Sequence, residues 1–405
     1  MDQKRTTSER TGQYQNLLRL AGEHSVGASN GGPVLRAARM RSIINCHRLS
    51  EAYKERSKVA YVSDQFPTEI VFALDVIPWN IESMAIMLAQ TIDVNRVFQL
   101  TQERELSRDI CSFLRGPCGM MLADCYPTPD MILTNDQPCE GLSKMMFMTG
   151  RRYQAPVLGI HSPNRIDEES IVYVERQIEG MISQIGGKLG VEPDPDALRT
   201  SIRLSNEARE YYRKTLQILQ GHKIHSVSRE LQEIFGMNYF GSPENVRLCQ
   251  ALYQDALELS RGPEKKERRV LWIGQVPEES HELLRHMRQV VDIVFWAPLW
   301  AGNTLVIDEH RPLRSIAERA MLFHWNSERM LAELAQMCDA YSIEGFLIVN
   351  VWGCRNMLGM TPMFRDYARE RKVKCLTINT DLVDRNNYAF NHVKNRVDAF
   401  LELMQ

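Results

Sequence analysis

The chain has 405 residues, of which 44% are apolar and 25% charged. That is the balance of a folded globular protein with room for two or three domains, and it excludes a disordered one. Its 49 basic and 51 acidic residues leave a formal net charge of −2, so neither nucleic acid nor a membrane surface is an expected partner.

Residues 1–30 are polar and rich in Ser, Thr, Gln and Gly. They read as a flexible lead-in without the apolar stretch of a secretory signal, which makes the cytoplasm the expected location. No later run reaches the ~18 apolar residues of a membrane span. Residues 33–56 have helical composition and complete an N-terminal region, 1–56.

KVAYVS, from Lys58, reads as a short buried strand. FPTEIVFALDVIPW then starts a helix near Pro67 with apolar residues at helical spacing. A second helix is expected over about 103–115, ended by Gly116-Pro117, with Cys111 near its end. MILTN (131–135) is a strand followed by a helix from about Glu140, and PVLGIHSP (156–163) is a strand that ends in a proline turn. Strands alternating with helices define a first parallel α/β domain over 57–163.

Residues 164–267 carry no strand signal and read as long helices, interrupted at Gly186-Gly187 and at Pro193 and Pro195. Strand patterns resume in RRVLWIG (268–274), VVDIVFW (290–296), GFLIVNV (345–351) and KCLTINT (374–380). Helices are expected between them at about 278–289, 312–338 and 357–371, and at the C-terminus over about 390–404. The fold class is therefore α/β: two parallel-sheet, Rossmann-like domains with helices on both faces, the second over 268–405, joined by a helical segment.

Nine cysteines, an odd number, in a long chain without an export signal favour reduced thiols or metal ligands over disulfides. In parallel sheets, ligands gather beyond the carboxyl ends of the strands. Cys139 follows MILTN by four residues and Cys354 follows GFLIVNV by three, each just before a helix, where backbone N–H groups favour a thiolate. Cys249, Cys338 and Cys375 read instead as small buried hydrophobes. His161 and His324 are candidate ligands or acids, though such histidines are more often structural. No phosphate loop, dinucleotide-binding turn or nucleophile elbow occurs.

Five segments together resemble the 2-hydroxyacyl-CoA dehydratase family, which includes the 2-hydroxyglutaryl-CoA dehydratase and benzoyl-CoA reductase subunits. SDQFPTEIVFALDVIP resembles its Pro-x-Glu and Ala-x-Gly-x-x-Pro segment, with Asp75 in place of the usual glycine. RDICSFLRGPCG is similar to its Cys-Ser-x-x-Arg segment, MILTNDQPCEGLSKM to its strand–Cys–helix segment, and VNVWGCRNMLG to its Trp-Gly-Cys segment. INTDLVDRNNYAFNHVKNRVDAFLELM resembles its C-terminal signature.

The resemblance implies that Cys111, Cys139 and Cys354 ligate a [4Fe–4S] cluster with one iron open to a substrate oxygen. It implies removal of water from a 2-hydroxyacyl-CoA through a ketyl radical. A separate ATP-dependent iron–sulfur activator would supply one electron, and a paralogous second subunit would complete the enzyme. Glu69, in the Pro-x-Glu motif, is the candidate for proton transfer. The alternatives are a benzoyl-CoA reductase-type subunit, a non-catalytic electron-relay subunit, or a double-cubane cluster drawing on Cys46, Cys118 or Cys125.

Overall fold

The computed structural model describes residues 35–54, 57–89, 93–262, 268–277, 281–296 and 301–404, and the expected flexible lead-in lies outside them. Strands β1 (Val59–Val62), β2 (Ile77–Asn80), β3 (Met131–Asn135) and β4 (Val157–Ile160) form one parallel sheet in the order β2-β1-β3-β4. Strands β5 (Arg268–Ile273), β6 (Val291–Trp296), β7 (Gly345–Val351) and β8 (Lys374–Thr380) form a second parallel sheet in the order β6-β5-β7-β8. The two orders are the same. Each chain path starts at an inner strand, moves to one edge, then crosses back to the other side. The switch points therefore lie between β1 and β3 and between β5 and β7.

Helices α1 (Arg36–Ala52), α2 (Thr68–Ala73), α3 (Ile81–Ala89), α4 (Val94–Glu103), α5 (Ser112–Leu122) and α6 (Glu140–Tyr153) accompany the first sheet. Helices α7 (Glu168–Leu189), α8 (Pro195–Gly221), α9 (His225–Met237) and α10 (Pro243–Leu259) follow without a strand. Helices α11 (His281–Met287), α12 (Ala301–Thr304), α13 (Pro312–Met321), α14 (Ser327–Tyr341), α15 (Arg355–Glu370) and α16 (Phe390–Met404) accompany the second sheet. Every residue of β1, β3 and β7 is buried. Burial on both faces is what lets these strands be continuous apolar runs rather than alternating ones. Trp79, Trp272 and Trp296, one on each of β2, β5 and β6, are the largest fully buried side chains among the described residues.

Several expectations shift. The segment 66–79 is not one helix: α2 stops at Ala73, Asp75 turns the chain in the left-handed region at φ 53°, and Ile77–Asn80 becomes β2. Asp75 thus holds the conformation that glycine supplies most easily. Pro78 fits because β2 is an edge strand, where a missing N–H costs no ladder bond. Within the expected helix over 103–115, residues 104–111 are instead a loop between α4 and α5, and 112–115 form the start of α5. Gly116 and Pro117 lie inside α5 rather than ending it.

Helix α7 likewise runs through Gly186 and ends at Gly190, which caps it at φ 62°. Gly186 serves a close approach, since a Cβ there would sit 2.6 Å from the Val191 carbonyl. The span 312–338 is two helices, with α14 capped afresh by the Asn326 side chain. Cys249 and Cys338 are buried as expected, but Cys375 is exposed because β8 is an edge strand.

Candidate metal centre

The carboxyl ends of both sheets open onto one cavity of about 800 Å³. Asp64 reaches it just beyond β1, Cys139 beyond β3, Gly274 and Gln275 beyond β5, and Cys354 beyond β7. The two inner strands of each sheet thus contribute at its switch point, where ligand sites in this architecture form. Cys111 enters from the loop before α5.

Cys111, Cys139 and Cys354 are the N-cap residues of α5, α6 and α15 respectively, so three helix N-termini meet at the cavity. None of the three sulfurs makes a full capping hydrogen bond. Burial pushes the Cys111 thiol well up, and the nearby Cys354 and Cys139 raise it further. Burial pushes Cys139 up to about 11 and raises Cys354. The first-turn N–H groups of Phe113, of Gly141 and Leu142, and of Asn356 and Met357 oppose these shifts. The thiols are therefore neutral by themselves, and the helix ends favour them once a cation draws off their protons.

Backbone geometry brings the segments together. Gly353 has φ 77°, and a Cβ there would lie 2.5 Å from both the Asp109 carbonyl oxygen and the Cys111 nitrogen. Only a glycine permits that approach of the Trp-Gly-Cys turn to the Cys111 loop. The Pro138 carbonyl, next to Cys139, accepts the Trp325 indole N–H at 2.8 Å and the Asn356 amide at 2.7 Å. Arg355 pairs with Glu140 across the same seam. Fully buried Arg115 donates to the Ile110 carbonyl at 2.9 Å and so fixes the residue before Cys111.

Among the described residues, no three His, Cys, Asp or Glu side chains approach closely enough to hold a single metal ion. One ion would draw its sulfurs to about 2.3 Å from a common centre. A multi-iron cluster, by contrast, distributes its ligands over separate irons. Cys118 lines the same cavity from α5, and burial holds it at about 12. Cys46 and Cys125 do not line it.

Glu69 is not brought to this cavity. Its carboxylate is fully buried and accepts from Ser205 at 2.6 Å, from Arg209 at 3.1 Å and from both terminal nitrogens of Arg319 at 2.8 and 2.7 Å. Burial alone would raise its pKa, but Arg319 and Arg209 override that and hold it at about 2. A proton-transfer group needs a proton it can exchange near working pH. Glu69 is built instead as the anion at the centre of a buried ion cluster.

Five carboxyl groups line the cavity, and two of them, Asp64 and Glu82, lie back from the exposed Glu105, Asp109 and Glu140 and form a pair absent from the sequence reading. The Asp64 N–H donates to Glu82 Oε2 at 2.8 Å. Burial raises Asp64 to about 6 against the hydrogen bonds of Gln65 and Asn80. Burial and the Asp64 charge push Glu82 well up. Glu82 lies 18 positions after Asp64, beyond a helix and a strand, so only the fold reveals the pair. His161 and His324 are outside the cavity lining.

The family model described as 2-hydroxyglutaryl-CoA dehydratase, D-component, matches residues 65–404. One of the subunits of the benzoyl-CoA reductase of Thauera aromatica is 20% identical over 387 residues, covering 83% of this chain and 86% of its own length. No helix among the described residues is long and apolar enough to cross a membrane.

Proposed function

Because the chain belongs to the 2-hydroxyglutaryl-CoA dehydratase D-component family, we propose that it is an iron–sulfur subunit that dehydrates a 2-hydroxyacyl-CoA. Cys111, Cys139 and Cys354 would hold a [4Fe–4S] cluster. The observation that carries the reading is the convergence of these three N-cap cysteines on one cavity at the switch points of two sheets. Such a cluster, when bound, supplies one-electron chemistry and a Lewis-acidic iron.

The protein's own residues do the rest. The helix N-termini favour the charge of the thiolates. Phe113, Leu142 and Met357 line the cavity and keep water from the acyl group. Asp64 and Glu82, held together through the Asp64 backbone N–H and both pushed up by burial, can hold a proton for the departing hydroxyl. Description of the family as one component implies partner components. A second subunit and an ATP-dependent activator that supplies the electron fill those places in this proposal.

A second reading, a subunit of the benzoyl-CoA reductase type, is favoured by the likeness to the Thauera aromatica protein. Anaerobic assays with a 2-hydroxyacyl-CoA and with benzoyl-CoA, activator present, separate the two. The proposed centre is tested by anaerobic purification with iron and sulfide analysis and electron paramagnetic resonance. The wild type and the C249S and C338S variants should be brown and carry iron and sulfide. C111S, C139S and C354S should each lose most of both. A colourless wild-type protein, or iron content indifferent to all three substitutions, would refute the assignment.

A further inference from the structure

We infer that the cavity takes an acyl group that is uncharged and largely apolar, and rejects one that ends in a carboxylate. This rests on the reading of the chain as a subunit that acts on acyl-CoA thioesters, and it adds the class of acyl group.

The lining decides the matter by what it offers a charge. Leu142, Met145, Met357 and Leu382 are buried against the cavity, and Phe113 and Leu114 are half-buried there. Among the described lining residues, the basic side chains are Lys144 and Arg355 alone. Both stand at the rim, 76% and 80% exposed, and both already face Glu140. The carboxyl groups that reach further in are those of Asp64 and Glu82, while Glu105, Asp109 and Glu140 stand exposed.

The neutral side-chain donors offer little help to an anion. The Trp325 N–H and the Asn356 amide both donate to the Pro138 carbonyl, and the Ser107 hydroxyl donates to Asp109, which leaves the Gln275 amide, a neutral group that supplies no counter-charge. A carboxylate carried into this space would leave water without a counter-charge and beside two acids. Burying an unpaired charge is far more costly than burying the methylene groups that an apolar chain would bring. An apolar acyl group loses nothing polar on entry and fills the space between Met145, Leu142 and Met357. The charged coenzyme portion of the thioester stays with the exposed, mixed-sign rim.

Calorimetric titration of the anaerobically purified protein, with any subunit that copurifies, tests this without turnover. The ligands are hexanoyl-CoA, phenylacetyl-CoA, glutaryl-CoA and free coenzyme A. Hexanoyl-CoA and phenylacetyl-CoA should bind more tightly than free coenzyme A. Each should also exceed glutaryl-CoA by about 30-fold or more, the order expected for an unsatisfied buried polar group. Glutaryl-CoA binding as tightly as hexanoyl-CoA would overturn the apolar assignment while leaving the thioester reading in place. If none of the three thioesters bound better than free coenzyme A, the thioester reading and this inference would fall together.

Discussion

Arg115 and Asp384 are 269 residues apart in sequence and 3.0 Å apart in the fold, both buried. The pair joins the helix that Cys111 begins to the loop after the last strand of the second sheet. The guanidinium also holds the Ile110 carbonyl and lies 4.7 Å from the centre of the Phe98 ring. Asp384 is itself placed by Asp381, whose carboxylate accepts the N–H groups of Val383 and Asp384. Two of the family-like segments are thus a single physical device that sets the position of one thiol.

Neutralising Asp384 should therefore damage both stability and the proposed metal site. D384N leaves a buried guanidinium without its anion, a loss of about 3–5 kcal/mol. Replacing both partners with apolar residues, R115M with D384L, should recover most of that loss, because no unpaired charge remains. Urea denaturation gives the stabilities, and iron per chain reports the thiol. D384N with wild-type stability would show that the pair is incidental.

Gly353 and Gly359 make a paired comparison on either side of the start of α15. Gly353 has φ 77° with backbone atoms of Asp109 and Cys111 at 2.5 Å from a would-be Cβ, whereas Gly359 has open space. G353A should pry the Cys354 turn from the Cys111 loop, with a loss of iron and a fall in stability beyond the ~1–2 kcal/mol of left-handed strain alone. G359A, in the interior of α15, should stabilise by about 0.5–1 kcal/mol. Thermal melts and iron content of the two variants side by side check the contrast. Equal behaviour would remove the argument from close approach.

The strands were legible because buried parallel strands are short apolar runs punctuated by turn residues, as in MILTN and GFLIVNV. Cys139 and Cys354 were legible for the same reason, since each sits just past such a run. Cys111 was harder. RDICSFLRG has helical composition throughout, and nothing in it says that the helix begins after the cysteine. The strand IPWN was hidden behind Asp75, a residue whose left-handed turn its identity does not announce.

Contacts made over long sequence distances left no local trace. A glutamate in a first helical turn reads the same whether it faces a site or a buried arginine. Only the fold brings Ser205 and Arg319, 136 and 250 residues away, onto Glu69. The Asp64–Glu82 pair is invisible for a related reason, because a helix, a turn and a strand lie between its members.

Glu69 supplies the last prediction, one that separates a structural anion from a catalytic one. Its pKa is about 2 in the fold against an ordinary 4.5. A depressed carboxylate binds fewer protons in the native state, so its contribution is complete above pH ~4.5 and is lost as pH falls toward 2. E69Q should therefore cost about 3–5 kcal/mol near neutral pH by leaving Arg209 and Arg319 without their shared anion. The gap from wild type should stay constant above pH ~5 and narrow as acid protonates the wild-type carboxylate. Denaturant midpoints of both proteins across pH 3–7 measure it. If E69Q matched the wild type in stability at every pH but lost turnover with iron content intact, the carboxylate would act in catalysis. The buried pairing with two arginines predicts the reverse: a stability defect that follows the titration of the carboxylate.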